Sequence, residues 1–278
     1  MTDRCEPVSL QALAEAIPDG ALLGVPPDYS GVAMAATAAL VRRNARGLRL
    51  FCLPYSTIQA DLLIGTGAVE AIEAAAVTLG EQGLAPNFSA AVEAGRVTMR
   101  DSTCPALHAG LQASEKGVPF VPLRGLIGTD ILAHRPDWQV TANPFDPDDP
   151  IVALPAVAPD IALFHAAKAD SERNVWIGRR RELATLAHAS RRTLVTVEET
   201  VAGSFFDREE TAANALPALY VDAIAVAPAG AWPCACSGVY DADTQALADY
   251  AGHGGGRAGI DALLARLAPG AALEPALP

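Results

Sequence analysis

The sequence predicts an α/β protein built on an open, mostly parallel sheet with helices on both faces. Two observations carry that expectation. Short apolar runs of strand length alternate with longer stretches whose apolar residues recur at helical spacing. Hydrophobic residues make up 51% of the chain and charged residues 19%, enough apolar surface to bury a large core. The 278 residues are read as one domain.

Strands are expected at residues 21–25, 48–53, 61–64, 96–99, 119–123, 151–155, 161–166, 193–197 and 223–227. Helices fit between many of them. Residues 32–43, VAMAATAALVRR, close on Arg42 and Arg43, cations suited to a helix C-terminus. Residues 68–79, AVEAIEAAAVTL, carry acids in their first turns. Residues 105–116 open on Pro105, tolerated at the first helical position, and stop before Gly117. Residues 181–190, RELATLAHAS, make a fourth helix. Four prolines, Pro136, Pro144, Pro147 and Pro150, predict an irregular surface lobe over residues 133–150. The Gly-rich and Pro/Ala-rich tail, residues 252–278, is expected to be peripheral.

Composition excludes several classes. No run reaches the roughly 18 apolar residues of a membrane span, and the start MTDRCEPVSL has no basic or apolar leader region. A net charge of -12, from 20 Lys+Arg against 32 Asp+Glu, repels nucleic acid. Five cysteines without C-x-x-C spacing argue against a disulfide framework and point to the cytoplasm. Cys234 and Cys236 are too close for a zinc knuckle and read as buried structural residues, so no metal is expected.

Ligands of open parallel sheets bind beyond the carboxyl ends of the strands. Polar residues follow several runs: Tyr29 and Ser30 after the first, Asp101, Ser102 and Thr103 after the fourth, and Arg124, Gly128, Thr129 and Asp130 after the fifth. Lys168 and Asp170 follow the seventh, and Glu198 and Glu199 the eighth. Bland readings stand beside these. Any of Asp101 to Thr103 could cap a helix, Ser30 could do the same, and Asp170 or Glu198 could be a solvated loop end. His108 and His188 read as satisfied residues of apolar helices. Arg124, with its planar fork, is the natural bidentate partner for a substrate carboxylate. There is no G-x-S-x-G elbow, P-loop or G-x-G-x-x-G fingerprint.

The segments ADLLIGTGAVE, the run from AAAVTLGEQG to RGLIGTDILA, NPFDPDDPIVALPAVAPDIALFHAAKAD, VTVEETV and YVDAIAVAPAGAWPCACSGVYDAD have a recognisable order and spacing. They resemble the alpha (A) subunit of family I CoA-transferases of the glutaconate type. The resemblance implies that family's fold and a coenzyme A thioester as substrate, with no permanently bound cofactor. The partner it implies is a B (beta) subunit, in a heterodimer or heterotetramer. It also implies catalysis by a glutamate that attacks the thioester, passing through an acyl-glutamyl anhydride and a glutamyl-CoA thioester. In the glutaconate type that glutamate belongs to the B chain, and no S-E-N-G type loop occurs here, so the nucleophile is expected in trans. This chain would shape the acyl pocket with Tyr29, Ser30, Asn87, Phe88, Ser102, Arg124, Gly128, Thr129 and Asp130.

Two departures from the family pattern stand out. The first turn reads VPPDYSG, whose Pro26 and Pro27 have no N–H to offer an oxyanion, and Arg173 replaces a glycine in the A-D-x-x-G-N pattern. They open two alternatives: a subunit of a CoA-dependent ring-opening hydrolase in steroid or alicyclic degradation, with Asp101 as its acid or base, and a non-catalytic CoA-ester-binding protein.

Overall fold

The computed structural model describes residues 6–268. Seven parallel strands form the backbone of the sheet: β1 (Leu22–Val25), β2 (Leu48–Cys52), β4 (Val69–Ala74), β6 (Thr98–Asp101), β10 (Ile161–Asp170), β12 (Arg192–Val201) and β14 (Ala223–Val226). They lie in the order β6-β4-β2-β1-β10-β12-β14. The short strands β11 (Val175–Trp176) and β13 (Ala215–Leu216) extend the sheet antiparallel beside the far half of β10. A two-stranded pair, β3 (Tyr55–Ser56) and β5 (Ala76–Val77), sits apart.

Helices cover both faces, as the alternation of apolar runs predicts. On one side α1 (Leu10–Glu15), α2 (Met34–Arg42), α3 (Ile58–Gly65), α4 (Pro86–Glu93), α8 (Thr244–Gly252) and α9 (Arg257–Arg266) pack around Leu23, Leu50, Ile72 and Leu163. On the other, α5 (Cys104–Glu115) and α6 (Arg181–Ala189) pack on Phe51, Ala162 and Phe164. Successive strand residues thus enter opposite cores, the period of two that a sheet buried on both faces requires. A short α7 (Glu209–Ala212) lies in the connection to β13.

Four expectations are corrected. Residues 61–64 belong to α3, not a strand: every residue from Ile58 to Ile64 is buried, so no polar stripe reveals the helical period. Residues 68–79 hold β4, not a helix, because pairing with β2 and β6 overrides the helix preference of alanine and glutamate. The proline-rich lobe is ordered into an antiparallel sheet of β7 (Phe120–Leu123), β8 (Gln139–Asn143) and β9 (Asp146–Pro155), its inner face packed on α5 through Val152 and Leu154. The tail is not all peripheral, since α9 places Ile260 and Leu263 in the main core; residues 269–278 lie outside the described part.

No helix among the described residues is long and apolar enough to cross a membrane. Cys234 and Cys236 are buried and, like Cys52 and Cys104, free; Cys5 lies outside the described residues.

Candidate active site

Chain order decides where a crevice opens. From β1 the chain steps outward through β2, β4 and β6; from β10 it steps the other way through β12 and β14. The connections therefore diverge between β1 and β10, and a gap is left beyond their carboxyl ends. A crevice of about 520 Å³ occupies that point, walled by Tyr29, Ser30 and Gly31 after β1, by His165 to Ala167 on β10, and by Trp176, the last residue of β11, through Arg180. A second chamber of about 570 Å³ shares Ala167, Trp176 and Ser237 with it and adds Lys168, Glu198 and Glu199.

Gly31 closes the wall. Its carbonyl accepts from His165 N–H at 2.7 Å, it sits at φ +85°, and a Cβ built there would lie 2.0 Å from the His165 carbonyl oxygen. A glycine is therefore required by both conformation and contact. Gly230 approaches the other side of the same residue, with room for a Cβ only 2.6 Å from the His165 ring.

His165 anchors a buried polar network. Its Nε2 lies 2.7 Å from Glu198 Oε1 and its Nδ1 2.8 Å from Thr196 Oγ1. Glu198 also accepts from the Tyr240 hydroxyl (2.8 Å), Ala229 N–H (2.7 Å) and Gly230 N–H (3.2 Å). Burial disfavours the Glu198 charge, but the bonds from His165, Tyr240 and Ala229 outweigh it and hold the carboxyl below its ordinary range. The same burial, with Glu198 beside it, pushes the Tyr240 hydroxyl up and the Cys236 thiol up to about 12. Among the described residues His165, Glu198 and Cys236 bring three possible metal ligands within 4.8 Å. They fit an ion poorly. Both ring nitrogens and both carboxylate oxygens are already bonded.

Only Tyr29 and Ser30 of the sequence-derived set line the crevice. Ser30 is buried, with Oγ hydrogen-bonded to Glu182. Tyr29 is 44% exposed at the mouth, and burial of its ring followed by the Glu182 charge pushes its hydroxyl up, so it remains a donor at neutral pH.

The other residues of the set are placed elsewhere. Asn87 and Phe88 are tied to α3 and the segment before α9: Asn87 Nδ2 donates to Asp61 Oδ2 (2.8 Å), its Oδ1 accepts from Gly256 N–H (2.8 Å), and Phe88 N–H donates to Asp61 Oδ1 (2.8 Å). Asp101 and Ser102 lie at the end of β6, three strands from β1. Thr103, not either of them, caps α5, accepting from Ala106 N–H. Arg124 is ion-paired with Asp149 at 2.5 Å in the antiparallel lobe. Gly128, Thr129 and Asp130 follow in the same connection, where Thr129 Oγ1 bonds the Leu126 carbonyl. Arg124→Ala is therefore expected to leave KM unchanged and to cost under about 1 kcal/mol, since the arginine of the pair is 73% exposed; a raised KM would return Arg124 to the site.

Sequence reasoning left Glu198 between a strand-end candidate and a solvated loop end, read His165 as one of several scattered histidines without ligand or triad spacing, and passed over the Gly-Arg-Arg-Arg run at residues 178–181. The signal available was the position of HAAKAD and VEE at strand ends. The Gly-to-Arg departure has a structural role: Arg173 sits at φ +71° in the β10–β11 turn and donates to the Val221 and Asp222 carbonyls.

The Coenzyme A transferase family profile matches residues 9–227. The chain belongs to that family. It is 32% identical to the A subunit of glutaconate CoA-transferase from Acidaminococcus fermentans over 68% of its own length, and the match spans 64% of that relative. It is 29% identical to the A subunit of 3-oxoadipate CoA-transferase from Pseudomonas knackmussii, over 76% of this chain and 74% of the relative. A cholesterol ring-cleaving hydrolase IpdA subunit of Mycobacterium tuberculosis matches at 27% over 78% and 77%.

Two solved structures share the family fold closely. The crystal structure of glutaconate coenzyme A-transferase from Acidaminococcus fermentans superposes with a TM-score of 0.83 at 26% identity, covering 93% of this chain and 87% of that one. The decarboxylase AibA/AibB C56S variant gives 0.82 at 29%, covering 93% and 98%. The expected family resemblance and α/β fold are borne out.

Proposed function

We propose that this chain is the alpha component of a heteromeric acyl-CoA transferase, forming half of the acyl-thioester pocket while a B subunit supplies the attacking glutamate. The state of Glu198 carries the reading. It is the carboxylate bonded beneath the crevice, and four donors consume both its oxygens. Such a group is stabilised as an anion and is a poor nucleophile. Glu199 is exposed and no side-chain hydrogen bond to a described residue fixes it, so it lacks the set geometry that attack on a bound thioester needs.

The chemistry divides accordingly. A partner carboxylate adds to the thioester carbonyl and expels CoA thiolate, leaving an acyl-glutamyl anhydride. The thiolate then attacks the glutamyl carbonyl, releasing the first acid and leaving a glutamyl-CoA thioester, and a second acid reverses the sequence. This chain binds and orients the acyl group, with the Tyr29 hydroxyl and the crevice arginines as donors and Trp176, Ile177 and Leu183 as apolar walls. The hydrolase relatives favour a second reading, but Asp101 offers its carbonyl, not its carboxylate, to Arg135, and lies away from the crevice.

Co-expression with the partner chain, incubation with an acyl-CoA and intact mass measurement of each polypeptide tests the assignment. A CoA adduct confined to the partner is expected. An adduct on this chain, or release of free CoA with no adduct on either, would overturn it.

A further inference from the structure

The run Gly178-Arg179-Arg180-Arg181 places three cations at the start of α6, the end of a helix that attracts anions. Such a run is electrostatically unfavourable unless something negative faces it. Arg181 is accounted for, donating to the Ala213 carbonyl. Arg179 and Arg180 are not. Arg180 stacks over the Tyr29 ring at 5.0 Å, and the side chain of neither makes a hydrogen bond or ion pair with a described residue. In this acidic chain every other described arginine except the exposed Arg96 holds a carboxylate or a carbonyl.

The two side chains line the crevice, and their backbone is fixed there. Ile177 and Gly178 N–H groups both donate to the Asn214 carbonyl, and Arg180 N–H donates back to Ile177. Neither neighbouring acid pairs with them. Glu182 accepts from Ser30 and makes no ion pair with Arg179 or Arg180, and Glu198 is saturated in the next chamber. What remains is a pair of adjacent guanidinium groups with no hydrogen-bond or ion-pair partner among the described residues, that of Arg180 braced on an aromatic ring and that of the exposed Arg179 beside it, next to apolar walls. Guanidinium forks suit planar or tetrahedral oxyanions, which they bind through paired N–H bonds.

We propose that Arg179 and Arg180 form an oxyanion subsite of the crevice, holding a negatively charged group of the substrate remote from its thioester. This deepens the acyl-thioester reading and rests on it. The charge can come from a second carboxylate on the acyl group or from a phosphate of the CoA moiety, and the same chemistry serves both.

Calorimetric titration of the assembled two-chain protein with glutaryl-CoA, butyryl-CoA and glutaryl-3′-dephospho-CoA separates the possibilities. In the Arg179→Gln/Arg180→Gln double variant the Kd for glutaryl-CoA is expected to rise about 10- to 100-fold, the loss of one or two charge-assisted bonds. Butyryl-CoA binding left unchanged identifies the acyl carboxylate. Equal losses for both acyl groups, absent for the dephospho thioester, identify the phosphate. An intermediate loss in the Arg179→Lys/Arg180→Lys variant would confirm that fork geometry matters beyond charge. Unchanged affinity for all three thioesters in the glutamine variant, with circular dichroism matching the parent, overturns the subsite. If the parent protein binds none of them, the thioester reading fails instead; the subsite is then tested with glutarate and inorganic phosphate alone, and binding of neither overturns it.

Discussion

Glu198→Ala is expected to lower the unfolding free energy by about 3–5 kcal/mol, the usual consequence of removing one partner from a buried charged network. The truncation strands His165 Nε2, the Tyr240 hydroxyl and two backbone N–H groups in a largely buried site. The same change frees residues 229–240 from β12 and with them the shared wall of the two chambers. Glu198→Gln keeps the shape and one acceptor oxygen, so its loss should be smaller, about 1–2 kcal/mol. Urea unfolding of the three proteins at pH 7 checks the order.

Acidity separates charge from packing. The Glu198 carboxyl titrates lower in the folded chain than in the unfolded one, so its ionised form contributes stability that is fully present above the ordinary glutamate value of about 4.3. That contribution is lost as pH falls through the depressed folded value. Urea unfolding of the parent and Glu198→Gln at pH 7, 5, 4 and 3 should show a gap that holds at pH 7 and 5 and narrows at pH 4 and 3. A gap independent of pH would show that the network acts by packing alone.

Gly31→Ala should be the second severe change. The residue sits at positive φ, which costs a side chain about 1–3 kcal/mol, and its new Cβ would meet the His165 carbonyl at 2.0 Å. Relieving that overlap must push β10 and the first turn apart, for about 1–3 kcal/mol more, and break the 2.7 Å bond between them. The melting temperature should fall by about 3–10 °C. Gly128→Ala is the control, because Gly128 is also at positive φ (+83°) but has nothing within 4 Å of its absent Cβ. It should show the conformational cost without the clash, and equal losses at the two glycines would refute the close-contact argument.

The sheet is legible from sequence where strands are flanked by turn residues and separated by amphipathic helices. Residues 48–53, 161–166, 193–197 and 223–227 all fall on parallel strands, and residues 181–190 on α6. It is illegible where burial erases polarity. The Ile58–Gly65 helix has almost no solvent face, and Val69–Ala74 owes its extended form to neighbours on either side.

By itself the chain determined its class, its family and the rule that chemistry belongs at strand ends, because periodicity, composition and motif order are local properties. Which strand ends face one another was settled only by the tertiary structure. The divergence of connections between β1 and β10 joins residues from 29 to 237 in one crevice, and puts Asp101 and Arg124, equally plausible on paper, outside it. A side chain's chemistry also depends on what already holds it. Arg124 has its carboxylate and Glu198 its four donors, whereas Arg179 and Arg180 have no such partner among the described residues.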